Sequence, residues 1–173
     1  MTNIRPALAS DELTIQAVHR HAFPTDAEAR LVALLAARGK AAVSLAAEAD
    51  GQIVGHMLFS PATIETPGLP PLVGLGLAPV AVLPEYQNRG IGTALVETGL
   101  EAARQLQVPF VVLIGHPAFY PRFGFMPAAS FGLTCDFGSG AEFQIIDLLE
   151  GSLPAAGGVV RYAEEFYELF GPP

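Results

Sequence analysis

The sharpest chemistry in this chain lies in the run Val80-Ala81-Val82-Leu83-Pro84-Glu85-Tyr86-Gln87-Asn88-Arg89-Gly90-Ile91-Gly92-Thr93. An apolar strand enters a polar turn holding two glycines, and the turn opens a helix. The first N–H groups of a helix have no internal partners, and its dipole adds positive potential at that end. Gly90 and Gly92 lack side chains, so a bulky anion could approach the backbone, and Arg89 is the one full positive charge in the turn. The pattern suits a phosphate or pyrophosphate, although a turn of this kind can also join strand to helix and bind nothing. A dinucleotide site fits less well, because Leu95 stands where the third glycine of G-x-G-x-x-G belongs. A Walker loop needs Gly-Lys-Ser/Thr, and no lysine is near.

Other reactive side chains are sparse. Cys135 is the only cysteine, so it forms no intrachain disulfide and supplies no Cys-rich metal site. Nothing beside it in sequence would activate a thiol nucleophile. His19 and His21 lie two apart on a helix and face different ways, and no HExxH-type spacing occurs, so no metal is expected.

These residues need a scaffold, and its elements are legible. Asn3 to Ala7 predicts a short edge strand. Ser10 followed by Asp11 and Glu12 starts a helix that runs to about His21, short of Pro24. Thr25 and Glu28 have the spacing of a capping box, and Leu31, Leu34 and Leu35 mark a second helix that ends at Arg38-Gly39. Ala42–Glu48 and Gln52–Glu65 predict a hairpin joined by Ala49-Asp50-Gly51. Leu72–Leu83 is a further strand, in which Pro79 predicts a bulge or local splaying. A helix over Ile91–Gln107 would bury Ile91, Leu95, Gly99, Ala102 and Leu106. The apolar Pro109–Ile114 segment predicts a strand buried mid-sheet. Phe119–Phe125 predicts a short helical turn, and Glu142–Leu148 a last strand. A loop over Gly151–Gly158 leads into a terminal segment, Val159–Phe170. The order β-α-α-β-β-β-α-β-α-β is α/β, mixed on a single sheet.

Composition narrows the function classes. The chain has 173 residues, 51% of them hydrophobic and 15% charged, which excludes disorder and predicts one domain over 1–173. The core would span about 1–150, with a C-terminal extension over 151–173. The net charge of −8, with Lys40 the only lysine, argues against nucleic acid as a partner. Met1–Ser10 contains no apolar run of a secretory signal. The uncharged stretch Thr66–Pro84 holds five prolines, which defeat a membrane helix. A cytoplasmic protein with no membrane partner is expected.

Gln87-x-x-Gly90-x-Gly92 resembles the Gln/Arg-x-x-Gly-x-Gly/Ala signature of the GNAT superfamily of acyl-CoA-dependent N-acetyltransferases. Val82-x-Pro84-Glu85-Tyr86 leads into it as in many members. Phe119-Tyr120-Pro121-Arg122-Phe123-Gly124-Phe125 resembles the second recognisable block, and Ala22–Arg38 looks like the helix pair of the YhbS-like branch. The resemblance covers nearly the whole chain and weakens after about Gly151. It implies a mostly antiparallel sheet flanked by helices, with splayed central strands that take acyl-CoA between them. It also implies that backbone groups from Val80, Ala81 and Val82 hold the pantetheine arm. Amides across Asn88, Arg89, Gly90, Ile91, Gly92 and Thr93 would then hold the pyrophosphate, with Gln87 counted in the same cofactor site.

Tyr120 aligns with the tyrosine that protonates the departing thiolate in many relatives, a step suited to a phenol. The same ring could instead only pack among Phe119, Phe123 and Phe125. The strand carboxylate that serves some relatives as base is missing, because its position falls at about Gly76. His116, which can titrate near neutrality, is the leading substitute. Glu65, His56 and His21 are weaker options, and Glu85 lies too close to the phosphate turn. His19 and His21 would border the acceptor pocket. The resemblance implies acetyl-CoA as donor, without a metal, and a small-molecule or peptide amine as acceptor. A homodimer is left open. Two rival readings remain at this stage: a non-catalytic acyl-CoA sensor on the same fold, and an interaction protein docking through Glu164, Glu165, Glu168, Phe166 and Tyr167.

Overall fold

The computed structural model describes residues 1–171. Among the described residues, nine strands, β1 (Asn3–Pro6), β2 (Val43–Ala49), β3 (Gln52–Glu65), β4 (Leu72–Val82), β5 (Phe110–Ile114), β6 (Met126–Pro127), β7 (Leu133–Cys135), β8 (Phe143–Asp147) and β9 (Gly158–Tyr162), form a mixed sheet ordered β1-β2-β3-β4-β5-β8-β6, with β9 paired to β3 and to β7. Most neighbours are antiparallel, and β4 with β5 and β7 with β9 are parallel. Four α-helices accompany the sheet. The chain divides into two compact units, Met1–Phe59 with Ala78–Ala102, and Ser60–Leu77 with Ala103 onward.

The first unit begins with β1 (Asn3–Pro6), an edge strand paired to β2 (Val43–Ala49). Arg5 on β1 ties this edge down, donating to Asp11 at 2.6 Å and to Glu48 at 2.6 Å. Those hydrogen bonds hold both carboxyls below the usual carboxylate range. A 3-10 turn over Ala9–Asp11 precedes α1 (Glu12–Ala22), so the regular helix starts two residues after the predicted cap. The helix α2 (Ala27–Ala37) lacks the expected capping box. Asp26 is its N-cap and makes no side-chain cap bond, while Thr25 Oγ1 accepts from the Ala27 amide at 3.4 Å.

The turn between β2 and β3 (Gln52–Glu65) places Asp50 at φ 53° and Gly51 at φ 74°, the left-handed pair that a two-residue hairpin requires. The unit also holds the end of β4 (Leu72–Val82) and most of α3 (Ile91–Gln105). The Ala78–Pro79 peptide is cis. On α3 the buried residues are Ile91, Leu95, Val96, Gly99, Leu100 and Ala103, while Ala102, expected in the core, is half-buried. Leu106 lies beyond the helix and is 54% exposed, correcting its predicted place in the core. Gly99 is buried, and a Cβ there would stand 2.5 Å from Met57 Cε, so the helix packs closely on Met57 at this point.

The second unit centres on β5 (Phe110–Ile114), of which Phe110, Val111, Val112 and Leu113 are buried as a mid-sheet strand should be. It pairs with the start of β4 at Leu75↔Val111 and Gly76↔Val112, and with β8 (Phe143–Asp147) along its full length. Short strands β6 (Met126–Pro127) and β7 (Leu133–Cys135) were not predicted. Nor is β8 the last strand. β9 (Gly158–Tyr162) pairs with β3 at Ala62–Glu65 and with β7, and α4 (Glu164–Phe170) follows. Phe166 and Glu165 of that helix are buried, so they present nothing to a partner as the interaction reading required. Among the described residues, no helix is long and apolar enough to cross a membrane.

Candidate active site

In the first unit, the end of β4 and the start of α3 build the turn singled out by sequence. Leu83 N–H donates to Val54 O at 2.8 Å, and the Ala81 carbonyl lies against Gly55 of β3. Backbone groups alternate sides along a strand, so those of Val80 and Val82 address the edge away from β3. Gln87 Nε2 donates to Val82 O at 3.0 Å, tying the turn to that edge. Gly55 allows this close approach, since a Cβ would stand 3.1 Å from Ala81 O and 3.2 Å from Leu95 Cδ1 and those neighbours would have to give by a few tenths of an ångström.

Asn88 and Gly90 both adopt left-handed backbone, at φ 60° and 82°. Nothing lies within 4 Å of where a Gly90 Cβ would stand, so no packed atom fills the space beside Gly90, while the Gln87 amide is already taken by the Pro84 carbonyl at 3.3 Å. The Ala94 amide donates to Gly90 O at 3.0 Å, which starts the helical ladder and leaves the amides before it without intrahelical partners. Arg89 is exposed, its guanidinium 5.1 Å from the Tyr86 ring centroid. Ile91 is fully buried and anchors the helix start, while Gly92 and Thr93 are half-buried beside it. Open amides, a nearby cation and no blocking side chain form a cradle for an anion.

In the second unit, Tyr120 begins a 3-10 turn over Tyr120–Phe123. Its ring meets Phe119 edge-on at 5.0 Å and Phe125 at 5.8 Å between centroids. Burial pushes its phenol up to about 12, so the hydroxyl stays protonated across the physiological range. The ring lies directly on Gly115, where a Cβ would come 2.4 Å from Tyr120 Cε2. The only mark of Gly115 in the sequence is its place immediately after β5. His116 is exposed, and its Nδ1 accepts the Ala118 amide at 3.3 Å. The lone pair that would take a proton is therefore already engaged in this conformation.

The weaker base candidates are placed as follows. Glu65 pairs with Arg161 at 3.3 Å. His21 is exposed and bonds the Ala17 carbonyl at 2.7 Å. His19 does not stand open at the rim of an acceptor pocket. It is fully buried, and its Nε2 lies 2.8 Å from Nδ1 of His56, also fully buried. Burial holds His19 down at about 4 and His56 at about 3, so both rings are neutral. Cys135 is half-buried and donates to Gly138 O at 3.3 Å, and burial raises its thiol, as expected of a packed cysteine.

Residues 3–128 match the acetyltransferase (GNAT) domain family. The chain belongs to the GNAT family. Among relatives of this GNAT acetyltransferase is the uncharacterized N-acetyltransferase YhbS of Escherichia coli K12, 36% identical over 165 residues, 94% of this chain and 97% of that protein. The uncharacterized N-acetyltransferase YjhQ of the same strain is 43% identical over 122 residues, 69% of this chain and 67% of that one. The crystal structure of E. coli YhbS in complex with CoA superposes with a TM-score of 0.87, covering 95% of this chain and 91% of that one. A GNAT acetyltransferase from Brucella melitensis in complex with acetyl-CoA is 32% identical with a TM-score of 0.77, covering 96% of this chain and 98% of that one. The sheet and its four helices are thus the GNAT fold, and the protein is an acetyltransferase of that family.

Proposed function

We propose that this GNAT acetyltransferase moves the acetyl group of acetyl-CoA directly to a primary amine of a small molecule or peptide. The observation that carries the reading is the open turn Gln87–Thr93, with Gly90 in left-handed backbone and no atom within 4 Å of its missing Cβ. Relatives over nearly the whole chain length have been captured with CoA and with acetyl-CoA, which supports assigning the same donor here. In this reading the amides of Asn88 to Thr93 and the Arg89 guanidinium bind the pyrophosphate. The backbone edge of Val80 and Val82 that faces away from β3 pairs with the pantetheine amides, the Val82 carbonyl giving up its contact with Gln87 to do so.

The acceptor amine attacks the thioester carbonyl, and the carbon–sulfur bond breaks as the acetyl group passes to nitrogen. Tyr120 donates a hydrogen bond, and then its proton, to the sulfur as negative charge builds there, and burial that raises the phenol to about 12 keeps that proton in place beforehand. The proton lost by the amine is assigned to His116, whose contact to the Ala118 amide must open first. β4 contains no carboxylate to do this instead. That lack is also what favours the second reading, an acyl-CoA-binding module that transfers nothing.

Calorimetric titration with acetyl-CoA, beside an Arg89→Glu/Gly92→Glu double variant, tests the donor site. Binding in the micromolar range or tighter that the double variant abolishes is the expected result. No binding by the folded wild-type protein would remove the proposal. A screen of primary amines with thiol detection then separates the two readings, since the binding module releases no CoA with any of them.

A further inference from the structure

The first unit contains a second concavity, of about 480 Å3, enclosed by the start of α1, by α2, and by β2 and β3. This is within the ~300–1,000 Å3 range of small-molecule sites. Its walls are apolar, formed by residues such as Ile15, Val32, Ala33 and Leu58. Three polar side chains line it: Glu12, Ser44 and His56. Ser44 pairs with Leu58 across β2 and β3, and no residue of β4 or of the Gln87–Thr93 turn lines this cavity. The cavity therefore owes nothing to the acyl-transfer reading.

Its floor is a hydrogen-bonded row. Ser44 Oγ lies 2.9 Å from His56 Nε2, and His56 Nδ1 lies 2.8 Å from His19 Nε2. Both rings are fully buried, and His19 Nδ1 at the far end of the row is buried with no hydrogen-bond partner among the described residues. That orphan end sets the direction of the protons. A buried N–H without an acceptor is rarer and costlier than a bare lone pair, so His19 carries its proton on Nε2 and donates it to His56. His56 then carries its own on Nε2 and donates to Ser44, which leaves the Ser44 hydroxyl proton free to point into the cavity.

We propose that this cavity binds a small, uncharged, largely apolar molecule whose hydrogen-bond-accepting oxygen is received by the Ser44 hydroxyl. The walls reward an apolar body, and a row that ends in a donor selects an acceptor. Glu12 at the rim opposes an anion and can take an N–H or O–H from the same molecule. A primary amide of phenyl or branched-alkyl type meets all three conditions.

The test is a titration of the 15N-labelled full-length protein with three probes of one size and shape: 2-phenylacetamide, phenylacetate and 2-phenylethylamine. The amide is expected to give saturable shifts at Val32, Ser44 and Leu58, and to bind about tenfold more tightly than phenylacetate. Ser44→Ala should weaken the amide about tenfold by removing the donor, and Ala36→Phe, at the exposed rim, should block it while the melting temperature holds. Absence of saturable shifts with all three probes would overturn the proposal. So would amide affinity unchanged in both variants, or phenylethylamine binding as tightly as the amide and indifferent to Ser44→Ala. Acetyl-CoA binding is measured in the same samples, so failure here and failure of the donor site are read separately.

Discussion

At the scale of single residues, environment decides what each titratable group can do. Tyr120 is kept neutral by burial and by the aromatic rings around it. Tyr120→Phe should lower kcat by about 10- to 100-fold and leave the acetyl-CoA dissociation constant unchanged, as single-turnover kinetics beside calorimetry would show. Gly115→Ala should do part of the same damage from a distance, because the new methyl would displace the Tyr120 ring it meets at 2.4 Å. An effect of Gly115→Ala that persists in the Tyr120→Phe background would show that the glycine acts by another route.

The buried histidines make a different prediction. In the unfolded chain they titrate near ~6.5, while in the fold they are held at about 4 and about 3. The unfolded state therefore binds more protons between those values. Their contribution is fully present above ~6.5 and is lost as the pH falls through that window toward about 4. Melting temperatures between pH 7 and 4.5 should fall for the wild type and fall less for His19→Leu/His56→Leu. Equal slopes would contradict the burial argument. Asp11 and Glu48, lowered by their bonds to Arg5, add loss only at more acid pH.

At the scale of elements, local chemistry was a good guide wherever one interaction dominates. Asp50-Gly51 forms its hairpin because two adjacent left-handed residues are needed there. Helix ends were harder to place, since several residues compete for the same amides. Thr25 was the better-looking cap, yet Asp26 took the position without using its side chain. Close strand packing also escaped the pattern. Gly74 sits where a Cβ would meet the Phe110 carbonyl and ring at 2.7 Å, so Gly74→Ala should destabilise by about 1–3 kcal/mol. Chemical denaturation would measure it, and a change below ~0.5 kcal/mol would mean that β4 and β5 yield more easily than packed strands do.

At the scale of the whole molecule, the C-terminal region carries more of the structure than its composition suggested. Residues Gly158–Tyr162 pair with β3 on one side and β7 on the other. Phe137, Tyr162, Phe166 and Tyr167 pack together, and Arg161 and Tyr167 both donate to Asp136. Truncation after Gly157 should therefore lose cooperative unfolding of the second unit, seen as a broadened melt and aggregation on size exclusion. A truncated chain with an unchanged melt would show that β9 and α4 are dispensable. The acidic residues there belong to a helix, Glu164–Phe170, and not to an extended tail; Glu165 is fully buried in it, while Glu164 and Glu168 are exposed.

The sequence by itself determined the family, the two helices, the central hairpin, the strand-turn-helix around Gly90 and the tyrosine block. The family and the tyrosine block rest on a resemblance of motifs, and the other elements on contacts between residues close in the chain or on a spacing with one physical solution. The tertiary structure alone decided the rest. It paired Gly158–Tyr162 with β3 and β7, set Gly115 under Tyr120, and brought Ser44, His56 and His19 into one buried row. Such juxtapositions join residues far apart in the chain, and which of the many alternatives forms depends on how whole strands and helices bury their apolar faces together.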